Sequence, residues 1–143
     1  MQKDKAEYTT NPKHEIRNPK QITMTQNQNS KQYDLEERTL QFAKSTLGFC
    51  KCLPKTLICE EIGKQLIRAA TSVGANYIEA NEALGKKDFV MRIKICRKEA
   101  KECGYWLKLI EVSDPDLGKE REILLEESIE LMKIFGSILA NSQ

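Results

Sequence analysis

One apolar seam constrains the fold of this chain more than any other feature. Apolar residues recur at alternating steps of four and three without interruption, and they are Phe89, Ile93, Cys96, Ala100, Cys103, Leu107 and Ile110. This spacing places every member on one face of an α-helix. A helix with such a face has to bury it against other elements, so the pattern predicts a packed helical domain.

Three further helices are predicted by the same periodicity. The first ends at Pro54, the second begins after the N-cap candidate Thr56 and ends at Gly85, Asp88 caps the third, and Asp114–Pro115 opens the fourth. The inward residues are Leu35, Thr39, Phe42, Thr46, Phe49 and Leu53, then Ile62, Leu66, Ala69, Ala70, Val73, Tyr77, Ala80 and Leu84, and finally Leu124, Leu131, Phe135 and Ile138. No strand pattern competes. We therefore expect an all-α fold, an antiparallel up-and-down four-helix bundle.

The N-terminal residues differ in composition from the rest. Residues 1–31 are rich in Gln, Asn, Lys and Thr and hold few apolar residues, so folding would not offset their ordering entropy. We predict a disordered polar and basic arm over residues 1–31 and the bundle over residues 32–143, with Met24 as an alternative start. There is no signal-peptide pattern and no apolar run of the ~18 residues that a membrane span needs. A cytoplasmic location follows as the expectation.

Few residues suit metal or acid-base chemistry. The five cysteines form no C-x-x-C pair, and the single histidine, His14, lies in the arm. Glu79 and Glu82, like Glu99 and Glu102, have the i, i+3 spacing of carboxylates in di-iron bundles, but the histidines of such sites are missing. We expect no metal, no cofactor and no catalytic residue, and hence a protein that is not an enzyme.

The second helix contains a stretch of small residues that is uncharged from Ala69 through Ile78. Small side chains permit close helix packing, and the third helix has a second face that mixes large apolar groups with charges. A helix with two apolar faces typically lies at a subunit interface. The residues predicted at an oligomer interface are Arg68, Ser72, Ala75, Asn76, Glu79, Ile95, Glu99 and Trp106. A ligand or partner site is the alternative for the polar members.

A row of basic residues follows the third helix opposite its apolar seam. Residues 86–108 carry eight basic and three acidic side chains, a net charge of +5, whereas residues 111–130 carry eight acidic and two basic side chains, a net charge of −6. The candidate nucleic-acid-binding residues are Lys87, Lys94, Lys98, Lys101, Tyr105 and Lys108. Lysines bind phosphates, and a tyrosine among them can stack on a base. The alternative is a solvated face whose lysines pair in part with the acidic fourth helix.

The segment RAATSVGANYIEANEALGKKDFVMRIKICRKEAKECGYWLKLI, with the upstream ERTLQFA, resembles the bacterial four-helix-bundle family first named for proteins encoded in intervening sequences of 23S ribosomal RNA genes. The residues that match its pattern are Ser72, Ala75, Asn76, Tyr77, Glu79, Ala80, Asp88, Phe89, Lys98, Glu99, Tyr105 and Trp106. The resemblance implies a homopentameric barrel, no enzymatic activity, and distant kinship with the accessory variability protein of diversity-generating retroelements.

Two functions are compatible with these features. The first is an oligomeric protein that binds structured RNA or another nucleic acid through the third helix. The second is an interaction scaffold or accessory subunit that docks a protein partner such as a reverse transcriptase. Salt separates them, because phosphate binding weakens steeply as salt rises and an apolar contact does not.

Overall fold

The computed structural model of the protein describes the backbone of residues 24–142 and the side chains of residues 35–142. The chain divides into two units, Met1–Tyr33 and Asp34–Gln143. Four helices make up most of the described backbone, and they are α1 (Met24–Lys51), α2 (Leu57–Asn81), α3 (Lys86–Leu109) and α4 (Pro115–Asn141). No strand occurs within residues 24–142. The prediction of an all-α fold with four helices is confirmed.

The first helix starts earlier than its apolar pattern. Residues 1–23 of the predicted arm lie outside the described residues, whereas the backbone is helical from Met24 onward, inside the segment predicted as a disordered arm. The apolar pattern did not locate this start because residues 24–32 contain hardly any apolar residue that could repeat.

Two of the predicted helix caps are present. The backbone N–H of Cys59 donates to the Thr56 hydroxyl at 3.1 Å, and the N–H of Leu117 donates to the Asp114 carboxylate at 2.9 Å. Each bond satisfies one of the donors that the first turn of a helix leaves without an intrahelical partner. Pro115 occupies the first turn of α4, where a missing N–H costs nothing.

The turn between α2 and α3 corrects two predictions. Asp88 does not cap α3, because the helix begins one turn earlier with Gly85 as its N-cap. Asp88 instead lies within the first turn, where its negative charge interacts favourably with the helix dipole. Leu84 is fully exposed and not inward, because α2 ends at Asn81 and the chain has already left the helical register. Both errors come from extending a periodic pattern through a turn.

The core contains nearly all the residues that the apolar periodicity predicts to be inward. All six inward positions predicted for the first helix are buried, although Leu53 follows the end of α1, and Ile93, Ala100 and Leu107 of the α3 seam have no exposed surface. The buried hydroxyls of Thr39 and Thr46 donate to carbonyls of their own helix at 2.9 and 2.8 Å. No buried side-chain N or O atom among the described residues lacks a partner, so hydrogen bonds offset the cost of burying these polar groups.

Cross-helix contacts show that successive helices run antiparallel. Asn81, at the end of α2, donates to Glu36 in α1 at 2.7 Å, and Arg92 near the start of α3 donates to Asn76 near the end of α2 at 2.9 Å. A Cβ built on Gly104 of α3 would lie 3.3 Å from Ser128 Oγ of α4. The remaining pair, α1 and α4, is joined by two hydrogen bonds from Arg38 to Glu127, the shorter at 2.7 Å. These contacts define an up-and-down bundle.

Alanine substitutions at Gly48 and Gly74 are expected to have opposite effects on stability. A Cβ at Gly48 meets nothing within 4 Å, so Gly48→Ala should raise the free energy of unfolding by about 0.5–1 kcal/mol through helix propensity. A Cβ at Gly74 would lie 3.1 Å from Oγ1 and 3.3 Å from Cβ of the buried Thr39. Gly74→Ala should therefore leave the protein about 1–3 kcal/mol less stable than Gly48→Ala in urea unfolding. Equal stabilisation by both would mean that α1 and α2 are not in close contact at Thr39.

Candidate functional site

The six residues predicted to bind nucleic acid share one outer face of α3. We call this set the α3 stripe, and it consists of Lys87, Lys94, Lys98, Lys101, Tyr105 and Lys108, all exposed. The stripe faces outward because the apolar seam of the same helix points into the bundle. Lysines seven residues apart are about 10.5 Å apart along the helix at ~1.5 Å per residue. Lys87 and Lys94 also line an open groove with Met91 and Ser142 at one end of the bundle.

The stripe lysines form no ion pairs with the acidic side chains that the structure describes. In the part of the chain with described side chains, no salt bridge involves any stripe lysine. The acidic residues of α4 that form ion pairs use other cations, with Glu127 bound to Arg38, for example, and Glu130 3.9 Å from Lys133. Ion pairs between the stripe lysines and the fourth helix are absent from residues 35–142, whereas the exposure of these lysines agrees with both interpretations of the face. The positive charge of the stripe is thus available to an anionic partner.

A polar network joins α2 to α3 beside the stripe. The Arg68 guanidinium forms ion pairs with Glu99, at 3.3 Å, and with Glu102. The side chain of Glu99 is only 9% exposed, so the ion pair with Arg68 offsets part of the cost of burying its carboxylate. Trp106 donates its indole N–H to the same Glu102 oxygen that Arg68 contacts, at 3.1 Å. One arginine thereby connects a buried carboxylate, a surface carboxylate and a tryptophan.

A second cluster continues the network along α2. Arg92 donates to the Asn76 side-chain oxygen at 2.9 Å, and the Asn76 amide donates to the carbonyl and hydroxyl of Ser72, both at 2.9 Å. Five of the predicted interface residues, Arg68, Ser72, Asn76, Glu99 and Trp106, thus take part in hydrogen bonds within one chain. The other three differ, since Ala75 and Glu79 are exposed and Ile95 is half-buried. The interface assignment stays a prediction.

The sequence places Glu102 on the second face of α3 and in a carboxylate pair, but it does not predict the contacts of Glu102 with Arg68 and Trp106. Its position four residues before Trp106 is a signal for an intrahelical contact. Its contact with Arg68 depends on how α2 and α3 are aligned, and the spacing of residues within one helix does not predict that alignment. The ring of Trp106 in turn contacts Tyr105, with centroids 5.0 Å apart and planes at 70°.

The carboxylates once weighed as metal ligands have other partners or lie in solvent. Glu99 and Glu102 both bind Arg68, while Glu79 and Glu82 are exposed on α2. Within residues 35–142 no group of three or more His, Cys, Asp or Glu side chains is placed to hold a metal ion. The expectation of a protein without metal or cofactor stays a prediction.

Two thiols of the α3 seam are buried in the bundle. Burial raises the pKa of Cys96 and of Cys103 to about 12, so both thiols stay protonated at neutral pH. The Cys96 thiol contacts the carbonyl of Val73 at 3.4 Å. These cysteines therefore serve as small apolar side chains between helices.

None of the helices that the structure describes has a stretch long and apolar enough to cross a bilayer.

Fold and surface together define the class of the molecule, a helical bundle whose third helix carries an exposed basic face without ion pairs to residues 35–142. The chain belongs to the 23S rRNA-intervening sequence protein family, whose model matches residues 31–137. It is similar to the crystal structure of a protein with unknown function from the S23 ribosomal protein family of Bacteroides thetaiotaomicron. The two chains are 31% identical, with a TM-score of 0.64, over 77% of this chain and 98% of the other. No curated protein matches the chain. The family resemblance seen in the sequence is confirmed.

Removal of Arg68 should destabilise the bundle because it leaves Glu99 buried without a counter-charge. We expect Arg68→Gln to lower the free energy of unfolding by about 1–2 kcal/mol, a value reduced for the partial exposure of the guanidinium. Lys64→Gln is the matched control, since Lys64 and Glu61 form an exposed pair at 3.5 Å. Urea unfolding followed by circular dichroism measures both. Equal stability of the two variants would mean that the Arg68 network does not hold α2 to α3.

Proposed function

We propose that the protein is a cytoplasmic, non-enzymatic homo-oligomer that binds structured RNA or another nucleic acid through the α3 stripe. The observation that carries the proposal is the absence of ion pairs for the five stripe lysines within residues 35–142, although the neighbouring helix α4 is acidic. Phosphates bind such a row because each contact releases condensed counterions. The family name refers to intervening sequences of 23S rRNA genes, which is compatible with an RNA partner.

Assembly into a homopentamer would strengthen this binding. A single row of lysines makes few phosphate contacts, but five copies on one RNA add their contacts through avidity. Ala75, Glu79 and Ile95 support the proposed interface because none of them takes part in the polar network that ties α2 to α3. A small residue such as Ala75 on an exposed helix face permits the close approach of a second backbone.

A protein partner is the second candidate, and a specific observation favours it. Leu57 and Ile58 at the start of α2 are 74% and 68% exposed, and Leu109 at the end of α3 is also exposed. Apolar groups of this size at the surface suit an interaction with another polypeptide, such as a reverse transcriptase. In that case the protein acts as a scaffold or accessory subunit.

Charge reversal on the stripe tests the first candidate. Fluorescence anisotropy of a labelled ribosomal RNA hairpin should show saturable binding that weakens at least about 100-fold between 50 and 200 mM salt, because each of the five lysines that contacts a phosphate releases counterions. The variant Lys94→Glu/Lys98→Glu/Lys101→Glu should reduce the affinity at least about tenfold, because it replaces three phosphate contacts with repulsion.

The matched control changes the same net charge elsewhere. Lys44, Lys51 and Lys55 are exposed and lie outside α3, so Lys44→Glu/Lys51→Glu/Lys55→Glu should retain most of the affinity. Equal losses in the two triple variants would indicate a nonspecific charge effect. Flat titrations of the unmodified protein at low salt would exclude RNA binding and leave the protein-partner candidate.

A bulky residue at position 75 tests the assembly. Ala75→Trp should lower the mass measured by light scattering, because the indole would occupy the space that a second copy needs. Ala140→Trp is the control, since Ala140 is exposed near the end of α4, away from the predicted interface. An unchanged mass for Ala75→Trp would show that the interface lies elsewhere.

A further inference from the structure

Tyr105 lies within the α3 stripe with its ring 58% exposed. It follows Lys101 by four residues and precedes Lys108 by three, so all three side chains share one face of α3. An aromatic ring flanked by two cations presents a stacking surface between two phosphate-binding groups. This arrangement matches the repeating unit of a nucleic acid strand, a base between two phosphates.

The surroundings of Tyr105 restrict how its ring is held. Trp106 packs against it nearly edge to face, with ring centroids 5.0 Å apart. The indole of Trp106 is itself fixed by its hydrogen bond to Glu102, and Glu102 by its ion pair with Arg68. A chain of contacts therefore runs from α2 to the exposed ring. A ring that is already ordered loses less conformational entropy when a base stacks on it.

The exposed ring of Tyr105 favours unpaired RNA over paired RNA as the ligand of the stripe. In a duplex the faces of the bases are stacked inside the helix, and a straight protein helix on its outside meets phosphates and 2′-hydroxyl groups. A row of lysines alone can bind such a duplex, whereas the ring of Tyr105 can stack only on a base that has left the duplex stack. The five lysines without acidic partners in residues 35–142 also favour a phosphate-bearing ligand over a polypeptide.

We infer that the α3 stripe binds unpaired nucleotides of RNA, with one base stacked on Tyr105 and the adjoining phosphates on Lys101 and Lys108. Trp106, Glu102 and Arg68 are positioning residues that hold the tyrosine ring. This inference rests on the proposed RNA binding and specifies which part of a structured RNA the stripe contacts, namely a loop or a single-stranded end.

The experiment compares a labelled single-stranded RNA with the same strand annealed to its complement. The full-length protein should bind the single strand about tenfold more tightly at equal salt. Tyr105→Ala should weaken single-strand binding about tenfold, as loss of one base-aromatic stack does, and should leave duplex binding unchanged. Tyr105→Phe should retain the affinity because it keeps the ring. Met91→Ala is the control, since Met91 is exposed on the same face of α3 without an aromatic ring.

A second readout tests the positioning residues. Trp106 is the single tryptophan of the chain, so its fluorescence reports on the neighbourhood of Tyr105. Single-stranded RNA should change this emission and duplex RNA should not. Arg68→Gln should weaken single-strand binding about two- to threefold and leave duplex binding unchanged, under conditions where circular dichroism shows it to be folded. A purely structural role of Arg68 would alter both affinities equally.

The possible failures are separable. Equal affinity for both RNA forms, with no effect of Tyr105→Ala and a full effect of the Lys94/Lys98/Lys101 charge reversal, would overturn the inference and leave the proposed RNA binding intact. Absence of binding to either RNA at low salt would overturn both and direct attention to a protein partner.

Discussion

The structure depends on the shared position of α3, which packs against α2 on one side and α4 on the other. Its seam residues Ile93, Cys96, Ala100, Cys103 and Leu107 have no exposed surface, so they fill the core between these neighbours. A helix buried in this way has one permitted rotation about its axis, because any other rotation would bring charged side chains into the core. The outward direction of the lysines is a consequence of that rotation, since their spacing keeps them opposite the seam.

The same rotation brings the second face of α3 to the surface of α2, where charges meet. Glu99 is nearly buried there and is tolerated only because Arg68 reaches it across the helix pair. A pair of this kind adds little net stability, since the cost of removing both charges from water offsets most of the attraction. Its effect is on alignment. Sliding α2 by one turn would leave Glu99 without a partner, so the pair disfavours alternative registers that a seam of small apolar residues would otherwise permit.

The sequence predicted the fold well because the core is built on uninterrupted helical periodicity. The inward residues of α1 from Leu35 to Phe49 are all buried, including the two threonines whose hydroxyls bond to their own helix. Prediction failed where periodicity carried no information, at the polar start of α1 and at the turn that exposes Leu84. The six stripe residues lie on one exposed face of α3 for the same reason as the core, since their helical spacing places them opposite the apolar seam, while their binding role stays a prediction. The Arg68 network was not predictable from local patterns. Glu99 and Glu102 follow Arg68 by 31 and 34 positions in the sequence, and they meet it only once α2 and α3 are aligned.

The two proposed roles of the α3 surface, assembly and nucleic-acid binding, involve two consecutive residues, Trp106 and Tyr105. Successive side chains of a helix diverge by about 100°, so Trp106 turns toward α2 while Tyr105 turns away from it, into the lysines. A second copy that packs against the α2 side of α3 would cover Trp106 and Ile95 and leave the outer face of Tyr105 open. Assembly and nucleic-acid binding are thus compatible on one helix. Because Trp106 contacts Tyr105, burial of the tryptophan at an interface would also order the tyrosine, and the assembled protein would bind unpaired bases more tightly than one chain alone.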